Sequence, residues 1–534
     1  MANDQHYDLL VVGGGINGAG IARDAAGRGL RVLLCEKDDL AGHTSSASTK
    51  LIHGGLRYLE YYEFGLVRKA LKEREVLLRA APHIIWPLRF VMPHVPHLRP
   101  AWMIRIGLFL YDHLSRRELL PGSCGVNLVK HALGAPLQDS MHKGFVYSDA
   151  WVDDARLVVL NAMDAQERGA KVMTRTKLQS AHREAGLWQA TLVNEEQTEI
   201  KISARAIVNA AGPWASELLH QHLHQTARND VRLVKGSHIV VKKMFDHDHA
   251  YIFQNPDKRI IFAIPYEHEF TLIGTTDLEY KGDPGKVKIS SDEVSYLCDS
   301  ANRYFKQSIK PADVLWTYSG VRPLLEQEDA SNPSAVTRDY HLELDAAHDQ
   351  APILSVFGGK ITTFRCLAEE AVNLLEQPLK ITKSAWTANA SLPGGDIPNA
   401  DFSGFFQRFQ SHYPWLPKAL AERYAHSYGT RALRMLSDCR ALSDLGEQLS
   451  PGLYEAEVRY LVESEWARTT DDILWRRSKL GLHATPTSVQ VLQEKLTHLL
   501  AAAGQVPSAV SMSIAATAAG ATSLAAVSTT SAVR

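Results

Sequence analysis

A chain of 534 residues is too long for one core and, at roughly 150 residues each, suggests about three or four domains. Hydrophobic residues make up 45% and charged residues 22%, an ordinary balance for a folded soluble protein. The formal net charge of −1 supplies no global field for nucleic acid, so recognition of an anion has to come from local clusters.

The opening residues, MANDQHYDLL, carry neither the basic nor the apolar segment of a secretory signal, and none is expected. Leu9 to Val12 form a short apolar run, the pattern of a strand buried on both faces. Gly13, Gly15 and Gly18 follow in G-x-G-x-x-G spacing, with Ala19, Ala22 and Ala26 on a predicted helix. A second strand, RVLLCE, ends at Glu36. Gly13 permits the tight turn, Gly15 lets the backbone approach a pyrophosphate, and Gly18 lets the helix pack close to the strand. The helix start, at Ile16 and Asn17, offers N–H groups and a positive partial charge to phosphates. Glu36, followed by Lys37, closes the second strand, where an acid accepts ribose hydroxyls and argues against the extra phosphate of NADP. Together these parts predict a dinucleotide site, without separating NAD from FAD; the alternative is a glycine-rich turn in another α/β fold.

No ordinary βαβ repeat follows. The stretch TSSASTKLIHGGLRYLE begins at Thr44 and ends at Glu60. Its hydroxyls and backbone, through Thr44, Ser45, Ser46, Ser48, Thr49, Lys50, Leu51 and His53, suit a second contact with a pyrophosphate or a flavin edge. Gly54 and Gly55, before Leu56, permit close approach to a flat ring. Arg57 and Tyr58 then point a charged fork and a phenol at whatever lies beyond it. A loop whose hydroxyls merely cap a helix would leave the Gly-Gly and Arg-Tyr pairs unexplained.

Residues 61–144 read as a helical excursion. Within it, RPAWMIRIGLFLYDHLSRR (99–117) is either a packed core helix or a helix lying in a membrane interface with its arginines at headgroup level. Residues 145–231 and 346–385 are expected to complete the nucleotide domain begun by residues 1–60. In each, a buried strand turns sharply into a helix, at Ala211-Gly212-Pro213 and at Gly358-Gly359, with Ile361 and Thr362 opening the second helix. Between 232 and 345 the pattern alternates (RLVKGSHIVV, RIIFAIPY, FTLIGTTDLEY, SAVTRDYHLELD), which predicts one antiparallel sheet forming a substrate-binding wall. Residues 386–505 read as a separate helical cap, and 506–534 as an Ala/Ser/Thr-rich low-complexity tail. The five cysteines are widely spaced and include no C-x-x-C, which fits a reducing compartment and gives no zinc or other metal site.

Several of these stretches, taken in order, resemble the FAD-dependent, respiratory glycerol-3-phosphate dehydrogenases. They are the glycine motif, TSSASTKLIHGGLRYLE, NAAGPWA (209–215), KGSHIVV (235–241), IGTTD (273–277), SGVRPL (319–324), TRDY (337–340) and FGGKITTFR (357–365). They span roughly residues 5 to 385; the C-terminal part matches only in general character, and the tail departs from the family. The resemblance implies an α/β fold: a Rossmann-like FAD-binding domain of the glutathione-reductase/D-amino-acid-oxidase type, an antiparallel β substrate domain and a C-terminal helical domain. It implies oxidation of sn-glycerol 3-phosphate to dihydroxyacetone phosphate, with electrons passed from FAD to ubiquinone at the inner face of the cytoplasmic membrane. A homodimer is left open.

That chemistry needs phosphate clamps, a partner for the hydroxyl proton and a cation beside the reduced flavin. Arg57, Arg322 and Arg338, which the family motifs name, are the candidate clamps, because a guanidinium fork matches phosphate. Lys360 is a candidate cation, since a lysine at a helix start opposes the dipole unless something else uses it. His238 is the candidate base, with hydrogen-bonded structural histidine as the alternative. Tyr58 and Thr276 are expected to bond the glycerol part. Asp277 is expected to orient an arginine or to serve a turn. An oxygen-using glycerol-phosphate oxidase, or an amine or 2-hydroxy-acid oxidase on the same fold, remains the alternative.

Overall fold

The computed structural model describes residues 5–95, 99–225, 231–325, 339–346 and 350–502. The chain divides into two compact units, residues 1–437 and 438–534. In the first, β1 (Gln5–Val12), α1 (Ile16–Gly27) and β2 (Val32–Cys35) form the predicted opening unit. The hydroxyl-rich segment leads through β3 (Leu51–Ile52) and a 3₁₀ turn, Leu56–Tyr61, to α2 (Phe64–Ala80). Then come β4 (Ile85–His94), α3 (Ala101–His113), β5 (Cys124–Asn127), β6 (Lys143–Val152), α4 (Asp154–Glu167) and β7 (Lys171–Met173). The hairpin β8 (Thr176–Glu184) and β9 (Leu187–Asn194) precedes β10 (Glu199–Asn209). β11 (Val231–Lys242), β12 (Ala250–Gln254), β13 (Ile260–Tyr266), β14 (Phe270–Gly274) and β15 (Leu278–Glu279) are followed by the helix Ser291–Asn302 and β16 (Val314–Leu325). β17 (His341–Asp345), β18 (Ile353–Phe357) and the helix Phe364–Leu374 close the sheet-forming part.

Two sheets organise this unit. In the first, β18, β10, β1, β2 and β7 run parallel side by side, with β17 antiparallel on β18 and the β8–β9 hairpin branching from β10. The apolar run read at Leu9–Val12 is buried as a central strand needs to be. α1 lies against α4 and the helix Phe364–Leu374. A methyl at Gly18 would sit 1.9 Å from Gly13 O, so the third glycine of the motif serves close helix–strand packing. Arg23 and Asp164, 2.5 Å apart and buried, tie α1 to α4.

The second sheet has ten strands, in the order β15-β11-β14-β13-β12-β4-β6-β3, with β16 on β11 and β5 on β6. It is the expected wall, with three corrections. First, residues 61–144 are not wholly helical: they supply β4 and β5, and β6 belongs to this sheet and not to the nucleotide domain. Pro87 and Pro93 disguise β4, because proline cannot donate to a ladder. They are tolerated because β12 pairs only with Phe90 and Val91, between them. Second, the β12–β4 pairing is parallel, so the wall is mixed. Third, HLELD forms β17 of the first sheet. The outer face of the wall packs on the helix Ser291–Asn302 through Leu297, Cys298 and Ala301.

The expected helical cap starts at 386, but the helices Phe402–His412 and Lys418–Tyr428 belong to the first compact unit. His426 stacks on Phe402 with centroids 4.1 Å apart and meets His83 O at 2.9 Å. Among its described residues the second unit is mainly helical, with Glu455–Glu465 and Pro486–Ala502 as the longest helices there and a short hairpin, Gln448–Ser450 with Leu453–Tyr454. The tail expected at 506–534 lies outside the described residues.

Candidate active site

Three adjacent parallel strands, β18, β10 and β1, end in glycine-bearing turns at the same edge: Gly358-Gly359, Ala211-Gly212 and Gly13. Gly13 has φ +112°, and a methyl there would lie 2.4 Å from Ala210 O. Ligands sit outside the carboxyl ends of strands in such sheets. Here a cavity of about 720 Å³ opens between this edge and the inner face of the wall. Its lining runs from Glu36, Lys177 and Trp214 past the three turns to Arg57, His238, Arg322 and Lys360. That sequence of surfaces fits FAD: an acid for a ribose, a helix start for phosphates, backbone glycines for a flat ring. Glycine at the start of α1 brings no side-chain oxygen to it, and a methyl at Gly15 would meet only Ser45 Oγ, at 3.1 Å.

Most residues predicted for the cofactor line this cavity: Gly13, Gly15, Ile16, Asn17, Glu36, Lys37, Thr44, Ser45, Ser48, Thr49, Leu51, His53, Gly55, Leu56, Ala211, Gly212, Gly358, Gly359, Ile361 and Thr362. Glu36 is held by two N–H donors, Gly14 at 2.6 Å and Asp38 at 2.8 Å, while burial raises its carboxyl above the usual range. The hydroxyls of the Thr44–Thr49 stretch hold the protein together at this edge. Ser45 Oγ accepts from Ile16 N at 3.0 Å, Thr44 donates to Val321 O at 2.7 Å, and Ser48 donates to Asp154 at 2.7 Å.

Five predicted contacts are placed elsewhere. Gly18 packs against β1, as above. A methyl at Gly54 would strike Leu71 and the Tyr111 hydroxyl, so this glycine also serves packing. Ser46 donates to His43 O. Lys50 is 1% exposed and pairs with fully buried Asp154 at 2.7 Å, a structural ion pair. Thr276 is 1% exposed; its hydroxyl donates to Glu293 at 2.7 Å and accepts from Ser237 N at 2.9 Å, so it faces the interior and not the cavity. Arg338 lies outside the described residues.

The remaining candidates converge. Arg57 and Tyr58 come from the 3₁₀ turn, His238 from β11, Asp277 from the turn after β14, Arg322 from β16, and Lys360 from the turn after β18. Lys360 Nζ lies 4.0 Å from the centre of the Tyr58 ring. Arg322 Nη2 donates to Thr276 O at 3.1 Å and stands 3.6 Å from Asp277. His238 stacks on Tyr318, centroids 4.7 Å apart, with Nε2 3.0 Å from Thr49 Oγ1. Its Nδ1 is buried without a hydrogen-bond partner among the described residues. Burial, with Lys50 and Arg322 nearby, holds the imidazole well below its ordinary pKa, hence neutral at neutral pH. A neutral imidazole keeps a lone pair that can accept a proton, while the burial and the cations that keep it neutral also make it a weaker base than a free imidazole.

Sequence reading missed the supports behind these groups. Asp149 takes Arg74 at 2.7 Å and the Tyr111 hydroxyl at 2.7 Å, and Tyr111 in turn accepts Gly54 N at 2.8 Å. Glu293 binds Thr276, Ser237 and Lys235. Each looks in sequence like an ordinary helix or strand residue; the S-x-x-E spacing of Ser290 and Glu293, which was not singled out from sequence, marks a helix cap, and the cap is present.

Comparison with known proteins agrees with the geometry. A family model described as FAD dependent oxidoreductase matches residues 8–365, and one described as the C-terminal domain of alpha-glycerophosphate oxidase matches residues 385–504. The chain is 55% identical to a glycerol-3-phosphate dehydrogenase of Pseudomonas aeruginosa, covering 92% of this chain and 96% of that protein. It is 53% identical to the D-erythritol 1-phosphate dehydrogenase of Brucella abortus (91% and 96% covered) and 52% to the aerobic glycerol-3-phosphate dehydrogenase of Escherichia coli (89% and 94%). Among solved structures, the glycerol-3-phosphate dehydrogenase of Bacillus halodurans complexed with FAD superposes with a TM-score of 0.72 at 28% identity, covering 94% of this chain and 90% of that one. The chain belongs to the FAD-dependent oxidoreductase family of glycerol-3-phosphate dehydrogenases and oxidases, and FAD is its cofactor.

Proposed function

We propose that the protein oxidises sn-glycerol 3-phosphate to dihydroxyacetone phosphate and passes the electrons to a membrane quinone. The convergence of Arg57, Arg322 and Lys360 with a neutral His238 in one cavity carries this reading. Bound FAD supplies the hydride acceptor. Arg57 and Arg322 take the phosphate, with Arg338 as a third clamp, and so fix the carbinol carbon against the ring. His238 takes the hydroxyl proton on an imidazole nitrogen as the hydride leaves carbon. Lys360 places a positive charge where negative charge develops.

The quinone part rests on α3. Only Leu108 and Tyr111 of this helix are buried, whereas Trp102 is 63% exposed, Ile106 51% and Phe109 54%. Of the two sequence alternatives, this surface supports the interfacial helix, with Arg99, Arg105, Arg116 and Arg117 around it. No helix among the described residues is long and apolar enough to cross a membrane. Peripheral attachment to the inner face of the cytoplasmic membrane follows from this reading.

The Brucella relative, at 53% identity, supports a second reading in which a longer polyol phosphate is the substrate. Anaerobic addition of each phosphate ester to the purified flavoprotein decides between them. Glycerol 3-phosphate is expected to bleach the flavin band at lower concentration than erythritol phosphate; the reverse order would replace the substrate. Rapid peroxide formation in air without added quinone would replace the acceptor.

A further inference from the structure

We propose that Glu293 and Thr276 are positioning residues for the substrate pocket, resting on the assignment of Arg322 as a phosphate clamp. The buried Glu293 carboxylate sits on the helix Ser291–Asn302, on the far side of the wall from the cavity, and does not line it. One of its oxygens accepts two hydroxyl hydrogen bonds, from Ser237 at 2.8 Å and from Thr276 at 2.7 Å. The other accepts Ser290 N at 2.9 Å and lies 2.6 Å from Lys235 Nζ. Lys235 and the hydroxyls hold the carboxyl below its ordinary pKa despite burial, so it is an acceptor only. That fixes the direction of both hydroxyl protons.

With its proton committed to Glu293, Thr276 Oγ1 accepts Ser237 N at 2.9 Å, and Thr276 O accepts the Arg322 guanidinium at 3.1 Å. Ser237 precedes His238 on β11, and its hydroxyl also meets Ser319 Oγ on β16 at 2.8 Å, three residues before Arg322. One carboxylate thus locks the three pieces that carry His238, Arg322 and Asp277. A fully satisfied buried network of this kind fixes one geometry, and a missing member leaves others unpaired. The guanidinium is oriented from behind by a carbonyl whose own place is set by Glu293.

The test compares Thr276→Val, which keeps shape and loses the hydroxyl, with Thr276→Ser, which keeps it, and adds Glu293→Gln. Thr276→Val is expected to raise the KM for glycerol 3-phosphate about tenfold, the loss of one hydrogen-bonded constraint on a charged group. The Kd of inorganic phosphate, measured by calorimetry on the FAD-loaded protein, is expected to rise in parallel. Thr276→Ser is expected to stay within about twofold of wild type, and flavin content to be unchanged in all. Wild-type KM and phosphate Kd in Thr276→Val overturn the proposal, as does an equal rise of both constants in the two Thr276 variants. Glu293→Gln is expected to follow Thr276→Val; a folded Glu293→Gln protein with wild-type phosphate affinity also overturns it, and if that variant unfolds the Thr276 pair decides. Failure of the substrate reading is told apart by the wild type itself, whose flavin would then not bleach with glycerol 3-phosphate.

Discussion

Arg322 shows how a single side chain earns its place by what surrounds it. Its guanidinium is caught between Thr276 O and Asp277 at the cavity surface. Arg322→Ala should therefore leave FAD bound while raising the KM for glycerol 3-phosphate by about tenfold to a hundredfold, as for loss of a hydrogen bond to a charged group. Steady-state kinetics beside the flavin spectrum checks this; unchanged kinetics removes Arg322 from the clamp. Lys50 is the converse. It stands in the middle of a stretch that reads as cofactor-facing, yet its ammonium is buried against Asp154. Lys50→Met should destabilise the protein by about 3 kcal/mol in denaturant unfolding, because removing one partner strands a buried charge. Glu36, Arg57 and Lys360 could be placed at the cavity because the residues beside them in sequence line it too, whereas His238, flanked by Ser237 and Ile239 that do not, was singled out only through the resemblance. Lys50 and Thr276 were misread for the same reason: adjacency in a motif says nothing about which way a side chain turns.

At the level of elements, α3 was readable as an apolar helix with basic ends, but the sequence left open whether its large residues pack inward or face outward. Trp102, Ile106 and Phe109 lie at the 3–4 residue spacing of one helical face, and Leu108 and Tyr111 fall on the other. The sequence is apolar nearly all round, so periodicity could not choose a face. A triple variant, Trp102→Ser, Ile106→Asn, Phe109→Ser, should keep Tm within a few degrees of wild type, because exposed side chains contribute little to folding. It should co-sediment with vesicles containing anionic lipid several-fold less, since bound apolar area sets that affinity. Equal sedimentation would move the contact surface off α3. β4 was hidden for a different reason. Two prolines in ten residues look like a broken strand unless one knows that its neighbour β12 pairs with it over two residues only.

Taken whole, the first compact unit contains every residue lining the cavity, and it also contains His83, where the helices after 400 meet the segment after α2. Burial holds His83 well below the ordinary imidazole value of 6.5, and neither ring nitrogen has a partner among the described residues. The unfolded chain therefore binds a proton near pH 6.5 that the folded chain refuses, and stability is full above that value and drains as pH falls below it. Asp24, raised to about 6 by burial, works in the opposite direction at lower pH, so the comparison has to be between variants. His83→Met should lose about 1 kcal/mol less than wild type between pH 7.5 and 5.5 in denaturant unfolding. Parallel pH dependences would place the proton elsewhere. The boundaries of this unit were the least legible feature: the strands of the wall come from both sides of the nucleotide domain's segments, and no local pattern announces which sheet a strand will join.

The wall is moulded as much by omission as by chemistry. A methyl at Gly236 would stand 2.4 Å from the Arg322 guanidinium, and one at Gly274 would stand 2.0 Å from the His238 ring. Each of these two groups lies in the hollow left by a neighbour that has no side chain. Changing either hollow to alanine would evict an arginine or an imidazole without altering a functional group, so part of the shape of this pocket is written in the two positions that carry no functional group at all.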